Sequence, residues 1–144
     1  STVTANRYSL PYGSTTGSYH GEIVSFGTGP GGDNANLVAG DVYCYQSDSQ
    51  WELAASSATG LATGMLGICV ADETPTFLIK GFACARQYAG FTTGEPLFVS
   101  ATAGDVTGTA PATSTHYVRV AGYSIAGTNR IIFFDPDKTW VKRS

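Results

Sequence analysis

The chain has 144 residues and a mass of 15.0 kDa, and 13 % of its residues are charged. This length suits one domain with a buried core, and the charged fraction is about half the ~25 % of an average soluble protein. The net charge of −3 argues against a nucleic-acid-binding protein, which needs a basic surface to displace counterions from phosphates. Since no apolar run approaches the ~20 residues of a membrane-spanning helix, we also expect no membrane partner.

The three cysteines (Cys44, Cys69 and Cys84) cannot all pair within one chain. None has the CxxC or CxxH spacing of a zinc or redox site. Cys44 and Cys69 lie in apolar runs, where cysteine behaves as a small hydrophobic residue. We therefore expect three reduced, buried thiols, no metal or other cofactor, and folding in a reducing cytoplasm.

Residues 1–36 differ in composition from the rest of the chain. Small polar residues fill 1–21, interrupted by single tyrosines, and one candidate strand follows at Glu22–Phe26. The glycine density of Gly27–Asn34 predicts a flexible loop without regular structure. We interpret 1–36 as an extended N-terminal arm and a loop, in which isolated tyrosines can anchor the arm against a neighbouring subunit. A disordered tail that happens to contain tyrosine is the alternative.

Residues 37–144 predict a single β-domain, a compact antiparallel barrel or sandwich. Short runs of β-branched and aromatic residues alternate with Gly, Asn, Asp and Pro, as in strands joined by turns. In the first half, a plain loop is expected at 56–60 and a proline turn at 72–75. The predicted strands are 41–45, 51–55, 65–71, 76–84, 96–99, 116–125 and 131–134. No run in 94–137 has the length or period of a helix, and the basic tail 137–144 predicts a final edge strand.

The two halves of this β-domain share a layout. Gly40–Tyr45 matches Gly94–Val99, each a glycine, an acidic residue and an apolar run, and Leu66–Ala71 matches Ala121–Ala126. The spacing from Gly40 to Gly67 is 27 residues, and that from Gly94 to Gly122 is 28 residues. The pattern indicates two related β-units, although strand–turn–strand repetition is common in all-β domains. Two copies at a period near 54 residues do not indicate a solenoid, which needs at least three.

The sequence offers no pattern of catalytic residues. His20 and His116 are the only histidines, and no serine stands in a GxSxG turn. The paired acids of a glycosidase need a defined separation, whereas Asp135 and Asp137 flank a proline at a strand end and are typical of a turn. Gly27–Gly32 lacks the Lys-Ser/Thr ending of a phosphate loop. We therefore expect a protein that is not an enzyme.

Several glycine-centred motifs carry a family resemblance. They are Gly-Asp-Val at 40–42, Leu-Gly-Ile at 66–68, Lys-Gly-Phe at 80–82, Thr-Gly-Glu-Pro-Leu at 93–97, Arg-Val-Ala-Gly-Tyr at 119–123 and Phe-Asp-Pro-Asp-Lys-Thr-Trp-Val at 134–141. Over residues 37–144 the chain resembles bacteriophage virion β-proteins. One group is the capsid decoration proteins, also called cement or auxiliary head proteins. The other is the β-domains that end some head or tail fibres.

The resemblance to decoration proteins implies a structural protein without chemistry. Such a protein would stabilise the capsid by binding its outer shell as a homotrimer, with the major capsid protein as partner and the virion surface as location. It would be made in the cytoplasm of the bacterial host. The N-terminal arm would add a strand to a sheet of the capsid subunit, with Val3, Tyr8, Leu10 and Tyr12 as the binding residues.

Two other functions remain open. A fibre domain would bind a host receptor or carbohydrate, with Trp51, Trp140 or tyrosines as platforms for sugar rings. A host-cell enzyme or adhesin module would need a metal site or a cleft with paired carboxylates.

Overall fold

A curled antiparallel sheet forms a half-barrel, which confirms the predicted all-β fold. The computed structural model describes residues 9–11, 14–71, 74–86, 91–126 and 130–144. Within these ranges the elements are β1 (Tyr19–Val24), β2 (Val42–Tyr45), β3 (Trp51–Leu53), α1 (Thr59–Ala62), β4 (Leu66–Ala71), β5 (Thr76–Cys84), β6 (Pro96–Val99), β7 (Val106–Thr107), β8 (Tyr117–Val118), β9 (Val120–Ala126), β10 (Ile131–Phe134) and β11 (Val141–Lys142).

Most predicted strands are present. The strands at 76–84, 96–99 and 131–134 have the predicted bounds, and those at 41–45, 51–55 and 65–71 differ by one or two residues at an end. These runs are rich in Val, Ile, Phe and Tyr, whose branched or planar side chains pack well on a pleated surface. The short strand β7 was not predicted.

The prediction of one strand over 116–125 is wrong, because the chain changes partner at Arg119. β8 pairs with β11, while β9 pairs with β6 and β10. Arg119 lies between them and is buried, with its guanidinium bonded to backbone carbonyls of other segments. The pairing of β11 with β8 confirms the predicted strand in the tail.

The loop predicted at 56–60 is also corrected, since one helical turn occupies Thr59–Ala62. The turn ends in a bond from the Thr63 N–H to the Thr59 carbonyl, 3.1 Å. Ala62 is its buried residue, so packing rather than propensity fixes so short a helix.

The first strand begins three residues earlier than predicted and pairs with β5 along nearly the whole of that strand. The glycine-rich segment that follows is not the unstructured loop expected. It forms two 3-10 turns, Pro30–Gly32 and Asn34–Asn36. Side-chain bonds hold the turns: Asn36 Nδ2 donates to the Pro30 carbonyl at 2.8 Å, and the Gly31 N–H donates to Gln50 Oε1 at 3.0 Å.

The strand order supports two related β-units. The path through the sheet is β3-β2-β4-β5-β10-β9-β6-β7, so β2, β3, β4 and β5 correspond to β6, β7, β9 and β10 in mirrored order. The registers correspond as well, because Tyr43 opposes Gly67 where Leu97 opposes Gly122. Both β4–β5 and β9–β10 carry a register shift at the equivalent place, next to Ala71 and Ala126.

Equivalent glycines lie two residues before β2 and β6 and have the same backbone geometry. Gly40 has φ 90° and Gly94 has φ 88°, a region that residues with a Cβ rarely adopt. The Gly40 N–H donates to the Cys69 carbonyl at 2.7 Å, and the Gly94 N–H donates to the Ser124 carbonyl at 2.6 Å. The repeat in the sequence is therefore a repeat of hydrogen bonding.

The two units turn opposite faces towards the shared core. In the first unit Val42, Ile68 and Leu78 face it, and in the second unit the core residues include Leu97 and Ile132. The other face of the first unit is covered by a second apolar cluster, formed by Leu37, Tyr43, Trp51, Cys69 and Phe77. The equivalents of Val42, Ile68 and Leu78 in the second unit are Pro96, Tyr123 and Phe133, and none of these three belongs to either cluster.

Candidate binding surfaces

A row of apolar side chains crosses the outer face of the second unit. Phe82 on β5 opposes Phe133 on β10, which opposes Tyr123 on β9, which opposes Pro96 on β6. Directly opposed residues share one face of a sheet, so these four form a continuous surface that we call the outer stripe. The rings of Phe82 and Phe133 meet edge to face at 5.3 Å, and Tyr123 is 46 % exposed.

The repeat explains why this surface is apolar. Both faces of each unit carry hydrophobic side chains, and the outer face of the first unit, which includes Trp51, is covered by Phe26 and Leu37. Among the described residues, no comparable cluster covers the outer stripe. Pro96 and Tyr123 are exposed and Phe82 and Phe133 are half-buried, so the stripe is a partly exposed apolar surface that a partner could cover.

The described end of the N-terminal segment lies beside the outer stripe. His20 opposes Phe82 in the β1–β5 register, and its Nδ1 accepts a hydrogen bond from the Ser9 N–H at 2.9 Å. Leu10 is half-buried. Val3, Tyr8 and Tyr12, the other residues predicted to bind a partner, lie outside the described residues.

The second surface is a groove of about 490 Å³ that we call the Arg119 groove. It opens between the start of β4 and the end of β10, next to the middle of β5. Its lining combines apolar and charged side chains: Glu22, Met65, Leu66, Ile79, Lys80, Arg119, Asp135, Pro136 and Lys138. None of these charged side chains forms an ion pair with another described residue at an N–O distance of 4.0 Å or less.

Arg119 is held by three backbone carbonyls. Its Nε donates to Asp137 at 2.7 Å, and its Nη1 donates to Ala62 at 2.9 Å and to Gly64 at 2.6 Å. The residue is 6 % exposed, and burial lowers the pKa of its guanidinium, with Cys44 and Asp137 opposing that change. No hydrogen bond joins its second terminal nitrogen, Nη2, to a described residue.

The two tryptophans have different roles. Trp51 is fully buried, stacks on Phe77 at 3.9 Å and donates its indole N–H to the Phe26 carbonyl at 2.9 Å. It is therefore a core residue, and the prediction that it could serve as a sugar platform is wrong. Trp140 is 40 % exposed, and its ring lies 5.2 Å from the Arg119 guanidinium carbon, within range of a cation–π interaction.

An ion cluster joins the two units elsewhere. Arg86 Nε lies 2.6 Å from Asp41 Oδ1, and its Nη2 lies 3.9 Å from Asp105 Oδ1. Burial raises the pKa of both carboxyls, and Arg86 opposes that rise. Asp41 belongs to the first unit and Asp105 to the second, so we interpret the cluster as a structural clamp.

The remaining polar candidates are isolated. His116 lines a separate cavity of about 280 Å³ together with Thr107, Thr109 and Thr113, and its buried Nδ1 has no described partner. In the described ranges, no group of three or more His, Cys, Asp or Glu residues could hold a metal ion. The same ranges contain no helix long and apolar enough to cross a membrane.

Sequence reasoning identified only part of these surfaces. It named Trp140 and Leu10, but it did not identify the outer stripe or Arg119 as parts of a site. The repeat was the one signal that could have revealed the stripe, because it equates Tyr123 with Ile68. Comparison of the chain with protein-family models, with curated proteins and with solved structures found no match.

Proposed function

We propose that the chain is a structural protein of a bacteriophage particle that decorates the outer shell of the capsid and stabilises it. The observation that carries the proposal is the outer stripe. It is an apolar surface on a unit whose counterpart has its own outer face covered by the chain. A protein partner that covers the stripe removes apolar area from water, worth roughly 25 cal/mol per Å² before the costs of association.

The N-terminal arm is the second part of the proposed attachment. The Ser9–His20 hydrogen bond holds Ser9 beside the outer stripe, which supports attachment through this end of the chain. Val3, Tyr8, Leu10 and Tyr12 then anchor an added strand in a sheet of the major capsid protein, where backbone hydrogen bonds supply affinity and alternate side chains supply register. Assembly as a homotrimer at symmetry axes of the shell multiplies a weak single contact. In this role the protein needs neither an active site nor a cofactor.

Two variants test the proposal by sedimentation with undecorated heads of the phage that encodes the chain. Deletion of residues 1–12 should leave a folded protein that no longer sediments with heads. Tyr123→Ser should weaken binding at least tenfold, whereas Val38→Ser should bind normally, since Val38 is similarly exposed at 42 % but lies outside the stripe. Undiminished binding by both altered proteins would refute the proposal.

A second candidate function is a fibre domain that binds carbohydrate. The observation that favours it is Trp140, an exposed ring that lies against Arg119 beside the Arg119 groove. Exposed aromatic rings provide apolar faces on which sugar rings can stack. Labelling of virions with an antibody against the chain separates the candidates, because decoration predicts label over the head and fibre function predicts label at fibre tips.

A further inference from the structure

The Arg119 groove has the chemistry of a ligand site. Its lining supplies three cations and two carboxylates, Lys80, Arg119, Lys138, Glu22 and Asp135, beside apolar surface from Met65, Ile79 and Pro136. Glu22, Lys80, Asp135 and Lys138 are exposed, whereas Arg119 is buried, and buried charges that serve the fold are usually paired. Here the charges share one groove, and none is ion-paired with a described residue.

Arg119 provides a rigid donor at this site. The three carbonyl bonds through Nε and Nη1 fix the plane of the guanidinium, so little side-chain entropy remains to be lost when a ligand binds. Arg119 lines the groove, and no hydrogen bond joins its Nη2 to a described residue. Hydrogen bonds from a guanidinium to an oxyanion are about twice as strong as those between neutral groups.

We infer that the Arg119 groove binds an acidic saccharide, with the carboxylate of a uronic or sialic acid residue at Arg119 Nη2. Lys80 and Lys138 add positive charge at the rim, and the lining has a net charge of +1 (three cations less two carboxylates). Glu22 and Asp135 accept hydrogen bonds from sugar hydroxyls. The exposed face of Trp140, beside Arg119, packs against a neighbouring sugar ring.

The mixed charges favour a saccharide over an acidic peptide. A peptide with several carboxylates would meet Glu22 and Asp135 at the same rim as the lysines, and like charges at close range repel. A sugar with one carboxylate and many hydroxyls can use both signs of charge. The inference rests on the second proposed function, and it names the class of ligand and the residues that bind it.

Titration of the full chain with sialyllactose and with lactose tests this inference, because the two ligands differ by one carboxylated sugar. Trigalacturonate and its methyl ester form a second matched pair. Tryptophan fluorescence reports binding through Trp140, since Trp51 is fully buried and serves as an internal reference. We expect at least one acidic ligand to bind tenfold or more tightly than its neutral partner, and Trp140→Phe to abolish its fluorescence change.

Groove variants locate the site. Lys138→Ala and Arg119→Lys should each lower affinity for the acidic ligand by tenfold or more, and Lys142→Ala should not, because Lys142 lies in the same tail but outside the groove lining. Lys138 is exposed, so its variant stays informative if Arg119→Lys unfolds, which circular dichroism would show.

The outcomes separate the two claims. Tight binding of an acidic sugar that survives both groove variants would overturn the groove assignment and leave the carbohydrate-binding function standing. Failure to bind either acidic ligand, with full folding, would overturn the inference; a positive result with neutral glycans would then still support the second function. Binding of an acidic peptide at Arg119, in place of the sugars, would also overturn the inference.

Discussion

The equivalent glycines Gly40 and Gly94 give a paired test of the repeat. Each lies two residues before a strand and has nearly the same positive φ, so alanine at either position meets the same backbone strain. Their surroundings differ. A Cβ at Gly40 would lie 2.7 Å from the backbone nitrogen of Arg86 and from Thr16 Cγ2, whereas no described residue other than the two chain neighbours has an atom within 4 Å of a Cβ at Gly94.

The magnitudes follow from these distances. Alanine in the left-handed region destabilises the folded state by about 1–2 kcal/mol. Alanine also makes the unfolded chain less flexible than glycine does, which offsets about 0.4–1 kcal/mol of that loss. Gly94→Ala should therefore lower the free energy of unfolding by roughly 1 kcal/mol. Gly40→Ala adds an overpacking cost of about 1–3 kcal/mol, because Arg86 cannot retreat without losing its N–H bond to the Gly40 carbonyl, 3.1 Å.

Urea denaturation followed by tryptophan fluorescence measures both variants. Gly94→Asn is a useful control, since asparagine tolerates positive φ better than alanine and should cost less than Gly94→Ala. Equal losses for Gly40→Ala and Gly94→Ala, or a larger loss at Gly94, would refute the reasoning from local packing.

Three further predictions concern the core, the ion cluster and the thiols. Trp51→Phe should lower the free energy of unfolding by about 1–3 kcal/mol, because the hydrogen bond from the indole to the Phe26 carbonyl and part of the ring volume are lost. Urea denaturation measures the loss, with Trp140→Phe as the exposed control. A loss for Trp51→Phe no greater than the loss for Trp140→Phe would contradict the buried position of Trp51. Burial raises the pKa of Asp105 above its usual 3.8, so the native state binds the carboxyl proton more tightly than the unfolded state does. The stability gained from this proton is complete below pH 3.8 and is lost as pH rises through the raised pKa. Asp105→Asn should flatten that fall when unfolding is measured between pH 4 and 7, and an unchanged slope would argue against it. Burial also raises the pKa of the Cys44 and Cys84 thiols. The native protein should therefore react with Ellman's reagent at least about tenfold more slowly than the protein in urea. Equal rates would show that the thiols are accessible in the native protein.

The positions of Trp51 and Tyr123 show how far sequence patterns reach. Both residues lie in strands that local composition predicted, and alternation of side chains along a strand sets which residues share a face. The pattern does not state which face is covered. Trp51 is covered because residues of the 26–37 segment return over β3, and Tyr123 is exposed because no described segment does the same for β9.

Arg119 shows the same limit for a site. Its neighbours in sequence read as a continuous strand, and nothing local marks it as a buried cation. Its three acceptors lie 18, 55 and 57 residues away along the chain, so only the folded arrangement defines the groove that it lines.

From sequence alone came the all-β class, the bounds of the strands at 76–84, 96–99 and 131–134, and the two-unit repeat, because strand propensity, turn residues and glycine spacing act over a few neighbouring residues. Tertiary structure decided the strand order, the break at Arg119, the shared core and the two exposed surfaces. These depend on which distant segments pair and which face they cover, and a one-residue change of register is enough to exchange inside for outside.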